Sequence, residues 1–221
     1  ELDQKILSLP KFEQRQLMLA FTSRDIHFLS LYLWALRNNH VLILVDPNLD
    51  TQFQKQLVQK YKPNLIWKNN ILESKYESPV KLHSSLAMMF STSGSTGDSK
   101  QIRLSYQNIQ SNASSIAQFL AINNTETAIT SLPLHYSYGL SVLNSHLEVG
   151  ADIILSEKSI VDRDFWTLFK EKSCTSLAGV PYMYEMLNKI GFERMELPSL
   201  RYLTQAGGKL DNKYIEYFSD Y

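Results

Sequence analysis

An α/β fold, with two packed and largely parallel sheets under covering helices, is predicted by three features of the sequence. Its first part reads in the order β-α-β-α-β, and its second part repeats the alternation of short apolar runs with segments of helical apolar spacing. The chain of 221 residues is long enough to bury a sizeable core without a staple. Its content of 44% hydrophobic and 20% charged residues is that of a soluble globular protein.

The elements follow in order. "RQLMLAF" reads as a strand, and "SRDIHFLSLYLWALRNN" as a helix with Ser23 as its cap. "VLILV" is a buried strand that stops at "DPNLD", where Asp46 ends the strand and caps a turn made by Pro47. "TQFQKQLVQKY" is a shorter amphipathic helix and "PNLIW" a short strand, followed over residues 68–85 by a polar surface connection. "LAMMFS" is a strand that runs into "FSTSGSTGDSK"; "QIRL" alternates polar and apolar residues, and "SYQNIQSNASSIAQFLAI" is a helix capped by Ser105. Then come strand "TAITSL", helix "GLSVLNSHLEV", strand "ADIIL", helix "DRDFWTLFKEK", strand "TSLAGV", helix "YMYEMLNKI", strand "LRYLTQ" and the helical "NKYIEYFSDY". The two sheets are expected from residues 1–124 and 125–221, with a ligand pocket where they meet, near strand ends.

Composition excludes several classes of function. Lys+Arg and Asp+Glu are 22 each, so the chain lacks the basic footprint of a nucleic-acid binder or a polybasic membrane-surface protein. Any anion site must be built locally. The single Cys174, in a strand-like run, rules out an internal disulfide, reads as inert core and fits a reducing compartment, so a cytoplasmic location is expected. No apolar run reaches the length of a membrane span, and no Cys/His cluster suggests zinc.

The stretch "FSTSGSTGDSK" carries the chemistry. Gly94 and Gly97 remove Cβ and let successive N–H groups converge on an anion. Ser and Thr hydroxyls add donors, and Lys100 adds a full positive charge, an inventory suited to polyphosphate. The Walker pattern G-x-x-x-x-G-K-[ST] is absent, and this loop joins two strands where a Walker loop joins a strand to a helix. The bland alternative is a hairpin turn with solvated hydroxyls.

The order of residues in "STSGSTGDSK" resembles the phosphate loop of the adenylate-forming enzymes: acyl-CoA synthetases, luciferases and nonribosomal-peptide adenylation domains. The usual form is [ST]-S-G-[ST]-T-G-x-P-K, and the one departure is Ser99 in place of proline. "IRLSYQN", with Ser105 and Asn108, fits the strand and helix cap that follow in that family. "ALRNNHVLILVDPNL", "LPLHYSYGL", "GVP" and "QAGGKL" resemble further family segments in the same order, so the resemblance spans roughly residues 15–221.

The resemblance implies the fold of a partial N-terminal AMP-binding domain and the ATP-dependent activation of a carboxylic acid to an acyl-adenylate, with release of pyrophosphate. Transfer to a thiol, of coenzyme A or a carrier protein, is expected to follow. It assigns the ATP phosphates to Thr92, Ser93, Gly94, Ser95, Thr96, Gly97 and Lys100, and the adenine and acyl ends to Ala206, Gly207 and Gly208. His135, Tyr136, Gly139, Gly179 and Val180 are the expected substrate pocket, with Tyr136 at the family's aromatic or histidine gate. His146 is expected to be packing, and His27, His40 and His83 carry no partner pattern. Magnesium is implied, with its glutamate ligand beyond Tyr221, as are a ribose-binding aspartate and a small C-terminal domain with a catalytic lysine. A chain of this extent alone is expected to turn over negligibly and to self-associate through unpaired strands of the second sheet. The rival reading is a degenerate relative, a non-catalytic nucleotide- or phosphate-binding domain with a regulatory or interaction role.

Overall fold

Two separate sheets carry the chain in the computed structural model, which describes residues 1–77, 80–91 and 101–219. Its two compact units are Glu1–Ser111 and Asn112–Tyr221. All strands of the first sheet lie before residue 124 and all strands of the second after 125.

The first unit holds α1 (Leu2–Ser8), β1 (Leu17–Phe21), α2 (Ile26–Arg37), β2 (Val41–Val45), α3 (Thr51–Tyr61), β3 (Leu65–Lys68), β4 (Ile71–Ser74), β5 (Leu86–Ser91) and β6 (Gln101–Ser105). Its strand order is β4-β3-β1-β2-β5-β6. The four inner strands are parallel, whereas β4 and β6 run antiparallel at the two edges. Every residue of β1 and β2 is buried, because helices cover both faces of a parallel core. Leu17, Leu19 and Phe21 join Val41, Ile43, Val45 and Met89 in one cluster with Leu57 of α3. Their neighbours Met18, Ala20, Leu42, Leu44 and Met88, one residue out of phase, are equally buried on the opposite face.

Two local readings of the sequence need correction here. The cap of α2 is Asp25 and not Ser23: its carboxylate accepts the backbone N–H groups of His27 and Phe28 at 2.8 and 2.9 Å. The connection over residues 68–85 also contains β4, paired with β3 from Lys68↔Ile71 to Leu65↔Ser74. Asn69 and Asn70 both hold positive φ, 52° and 62°, which is the backbone of a tight two-residue hairpin turn. Asp46 does end its strand in a turn, accepting the Asn48 N–H on its side chain at 2.9 Å.

Helix α4 (Tyr106–Phe119) follows β6 directly. The second unit then holds β7 (Thr127–Ile129), α5 (Ser137–Glu148), β8 (Asp152–Ile154), α6 (Arg163–Glu171), β9 (Ser176–Gly179), α7 (Pro181–Lys189), β10 (Tyr202–Gln205) and α8 (Asn212–Ser219). Its strands are all parallel, in the order β10-β9-β7-β8. The core is rich in aromatics, with Phe165, Trp166, Phe169 and Phe192 in edge-on or tilted contact. Cys174 is fully buried there, and burial pushes its thiol up to about 11, so it is inert at neutral pH. His146 is buried in α5 with Nδ1 2.8 Å from the Val142 carbonyl, a packing role.

Candidate functional site

In the first unit the antiparallel ladder of β5 and β6 reaches Ser91↔Gln101. The chain therefore leaves and rejoins the sheet at one point, at the carboxyl end of β5. Parallel pairing places that point on the same edge as the carboxyl ends of β1 and β2, the edge on which open α/β sheets bind ligands. The predicted phosphate-binding residues Thr92, Ser93, Gly94, Ser95, Thr96, Gly97 and Lys100 fall between these positions and lie outside the described residues. Immediately after β6 the helix entry is closed reciprocally. The Asn108 N–H donates to Ser105 Oγ at 3.1 Å, and the Ser105 N–H donates to Asn108 Oδ1 at 3.0 Å.

In the second unit the strand order creates a switch point. From β7 the chain passes to β8 on one side, and from β9 it passes to β10 on the other. The connections leaving β7 and β9 thus diverge, the strand arrangement at whose carboxyl ends open α/β sheets bind ligands. His135, Tyr136 and Gly139 follow β7, Gly179 ends β9 with Val180 directly after it, and Ala206, Gly207 and Gly208 follow β10. Every predicted site residue of this unit therefore sits on one sheet edge.

The structure brings three of these loops into contact. Gly207 has φ of +87°, and a Cβ added there would overlap the Tyr136 hydroxyl and lie 3.2 Å from Val180 Cγ1. Only glycine fits that backbone and that approach. Gly208 lies against the Pro181 ring, and Gly179 is buried beneath the Tyr184 ring. His135 and Tyr136 are half-buried, while Gly207 and Gly208 are exposed. Gly139 does not face this contact: it is buried in the first turn of α5, where a Cβ would overlap the Pro133 carbonyl. Its small size lets α5 start hard against the "LPLHY" segment, which holds Tyr136 in place.

Hydrogen bonds tie the strand ends together underneath. Ser131 Oγ donates to the Ala178 carbonyl at 2.6 Å, joining the end of β7 to β9. Tyr138 donates its hydroxyl to Thr204 Oγ1 at 2.8 Å, and Tyr184 donates its own to the Thr204 carbonyl at 2.9 Å. Burial raises both phenols above the ordinary tyrosine range, so both stay protonated donors. Gln205 Nε2 donates to the Gly208 carbonyl at 2.8 Å and closes the turn on itself. The result is an exposed edge of Cβ-free backbone beside a phenolic hydroxyl, a surface against which a planar group can lie. Among the described residues no group of three or more His, Cys, Asp or Glu side chains is placed to hold a metal ion.

Sequence reasoning missed Tyr138, Tyr184, Thr204 and Ser131. Their partners are distant in the chain, and spacing carries no record of which hydroxyl meets which strand.

Residues 35–221 match the AMP-binding enzyme family, and the chain belongs to it. It is 34% identical over 119 residues to a putative acyl-CoA synthetase, YngI, of Bacillus subtilis (strain 168), a match covering 52% of this chain and 21% of that protein. It is 25% identical over 186 residues to a 2-succinylbenzoate–CoA ligase of Bacillus cereus (strain ZK / E33L), covering 83% of this chain and 37% of that protein. The matches thus span about a fifth and about two fifths of the length of these relatives. The fold is that of the inhibitor-bound N-terminal domain of FACL13 from Mycobacterium tuberculosis, with a TM-score of 0.82 at 15% identity over 99% of this chain and 64% of that one. The O-succinylbenzoate coenzyme A synthetase of Bacillus subtilis in complex with AMP gives 0.79 at 16% identity, over 99% and 62%. No helix of the described residues is long and apolar enough to cross a membrane.

Proposed function

We propose that the protein activates a carboxylic acid with ATP, forming an acyl-adenylate and pyrophosphate, and then transfers the acyl group to a thiol such as that of coenzyme A. The observation that carries this reading is the contact of Tyr136, Val180 and Gly207 at the switch point of the second sheet. It builds a ligand edge from three separate loops in a chain matched by the AMP-binding family over residues 35–221.

Acyl-adenylate formation asks a protein mainly to align the acid with the α-phosphorus and to stabilise charge on the departing pyrophosphate. In this reading Thr92, Ser93, Gly94, Ser95, Thr96, Gly97 and Lys100 supply donors to the phosphates. Ala206, Gly207 and Gly208 receive the adenine and acyl ends, and His135, Tyr136, Gly179 and Val180 wall the acid. ATP is substrate here, and magnesium would offset its phosphate charge when bound. In this reading residues 1–221 alone turn over negligibly.

The test is acid-dependent exchange of radiolabelled pyrophosphate into ATP. A protein extended past Tyr221 exchanges with at least one acid of a broad panel, and Lys100→Ala lowers the rate by about 100-fold. Absence of exchange with every acid overturns the ligase reading, and robust exchange by residues 1–221 overturns the expectation that they are inactive alone. Ser99, where the family has proline, favours one second reading, a nucleotide-binding relative without chemistry. Tight ATP binding with no exchange selects it.

A further inference from the structure

In the turn Ala206–Gly208, Gly207 and Gly208 are exposed and Ala206 is half-buried. Among the described residues β10 is an edge strand, paired with β9 alone. Its last ladder contact, from the Ala206 N–H to the Gly179 carbonyl, is 3.4 Å long, at the weak limit for such a bond. Gly207 adds a left-handed backbone of low intrinsic stiffness. Something else must fix where this turn points.

Two phenols supply that restraint, and both act on one residue. Thr204 lies opposite Ala178 in the ladder, two residues before the turn. Its carbonyl takes the Tyr184 hydroxyl and its side chain takes the Tyr138 hydroxyl. Tyr184 belongs to α7 and is buried in the core, so its bond fixes the strand to the helix beneath. Tyr138 belongs to the first turn of α5, two residues after Tyr136, whose hydroxyl meets Gly207. A single helix start therefore grips β10 at Thr204 and touches the turn at Gly207. Packing alone would be served by phenylalanine at position 138, since that ring already lies against the core.

We propose that Tyr138 is a positioning residue: its hydrogen bond to Thr204 Oγ1 fixes the end of β10 and so sets the Ala206–Gly208 turn for the nucleotide. The second half of this statement rests on the function proposed above; the first half does not. Tyr138 touches no ligand in this role. It acts through Thr204, and it makes the glycine turn and the Tyr136 contact move as one piece.

The experiment compares wild type, Tyr138→Phe, Thr204→Val and Thr204→Ser, each as the full 221-residue chain. Amide hydrogen exchange at Ala206 is measured against Ala128 of β7 in the same unit. AMP is then titrated while the Gly207 and Gly208 amide resonances are followed, well below the melting temperature. Loss of the bond raises exchange at Ala206 by roughly fivefold in Tyr138→Phe and Thr204→Val, with Ala128 unchanged. Thr204→Ser keeps the acceptor oxygen and keeps the wild-type rate. The double variant Tyr138→Phe/Thr204→Val is no worse than Tyr138→Phe alone, which also removes the phenol's interaction with the Gly179 backbone. The Kd for AMP rises by a similar roughly fivefold in the two disrupted variants and not in Thr204→Ser.

Unchanged exchange at Ala206, or an equal rise at Ala128, overturns the positioning role. A changed exchange with an unchanged Kd overturns its link to the ligand. If wild type shows no response to AMP, the nucleotide reading of the turn fails, while the exchange rates still decide whether Tyr138 holds it.

Discussion

His40 offers a direct measurement of how the first unit is held together. It is 2% exposed, at the start of β2, between the rings of Phe12 and Trp34 with centroids 5.8 and 4.7 Å away. Its Nδ1 accepts the Gln16 backbone N–H at 3.1 Å, which assigns the proton to Nε2. A second proton would have to go on Nδ1, against that N–H and beside the Arg15 guanidinium. Burial first, and the charge of Arg15 second, push the imidazole down from 6.5 to about 4. Between these values the unfolded chain binds a proton that the folded chain refuses, so stability falls as pH falls. The contribution is complete above pH 6.5 and gone below about pH 4. At roughly 1.4 kcal/mol per pH unit, this window is worth about 3 kcal/mol. The comparison protein is His40→Gln, whose amide oxygen can accept from Gln16 but does not titrate. Urea unfolding of the two proteins from neutral pH down to about pH 4 should show the wild-type advantage shrinking by about 3 kcal/mol. A His40 ring that titrates near 6.5 by NMR, or a difference that stays flat across the window, refutes the reasoning.

Two further predictions concern the second unit. Gly207→Ala forces a Cβ onto a left-handed backbone and into the Tyr136 hydroxyl, and should cost about 2–3 kcal/mol in denaturant unfolding. Adding Tyr136→Phe should recover about 1 kcal/mol by removing the overlapping oxygen, leaving the backbone strain; strict additivity of the two changes would contradict the contact. At the opposite edge of the sheet the fully buried Glu126 carboxylate accepts from Thr175 Oγ1 and pairs with Arg201, tying together the amino ends of β7, β9 and β10. Arg201→Met leaves that carboxylate unpaired and should cost about 3 kcal/mol, most of it recovered in Glu126→Gln/Arg201→Met. Equal instability of single and double variants would show that the charge is not what matters.

The sequence revealed the elements better than their partners. Apolar runs such as "VLILV" and "LAMMFS" became buried strands because a parallel core demands continuous hydrophobicity. Strand β4 was hidden because only Trp67↔Leu72 and its neighbours on β3 hold it, and its own residues are mostly exposed. Its signal was the Asn69–Asn70 pair, which tolerates the left-handed backbone of a tight turn. Ser23 read as the cap of α2; the structure uses Asp25 instead, the residue next to Ile26, whose carboxylate reaches two free N–H groups. The resemblance assigns Tyr136 and Val180 to the substrate pocket and Gly207 to the adenine and acyl ends; the strand order of the second sheet explains why these three residues meet. The bonds that fix them, Tyr138 to Thr204 above all, arise only when α5, α7 and β10 pack together.

The strand order also sets a timetable during synthesis. In the second sheet β7 pairs with β8 on one side and β9 on the other, yet β9 is made last of the three. When β7 and β8 have left the ribosome, one edge of Thr127–Ile129 still has no neighbour. It must wait while the chain from β8 through α6 is completed, which takes one to several seconds at roughly 5–20 residues per second. The first sheet repeats the delay at β2, whose outer edge stays open until β5 emerges. Nascent chains of this protein should therefore engage strand-capturing chaperones twice, once for each sheet, before either sheet is complete.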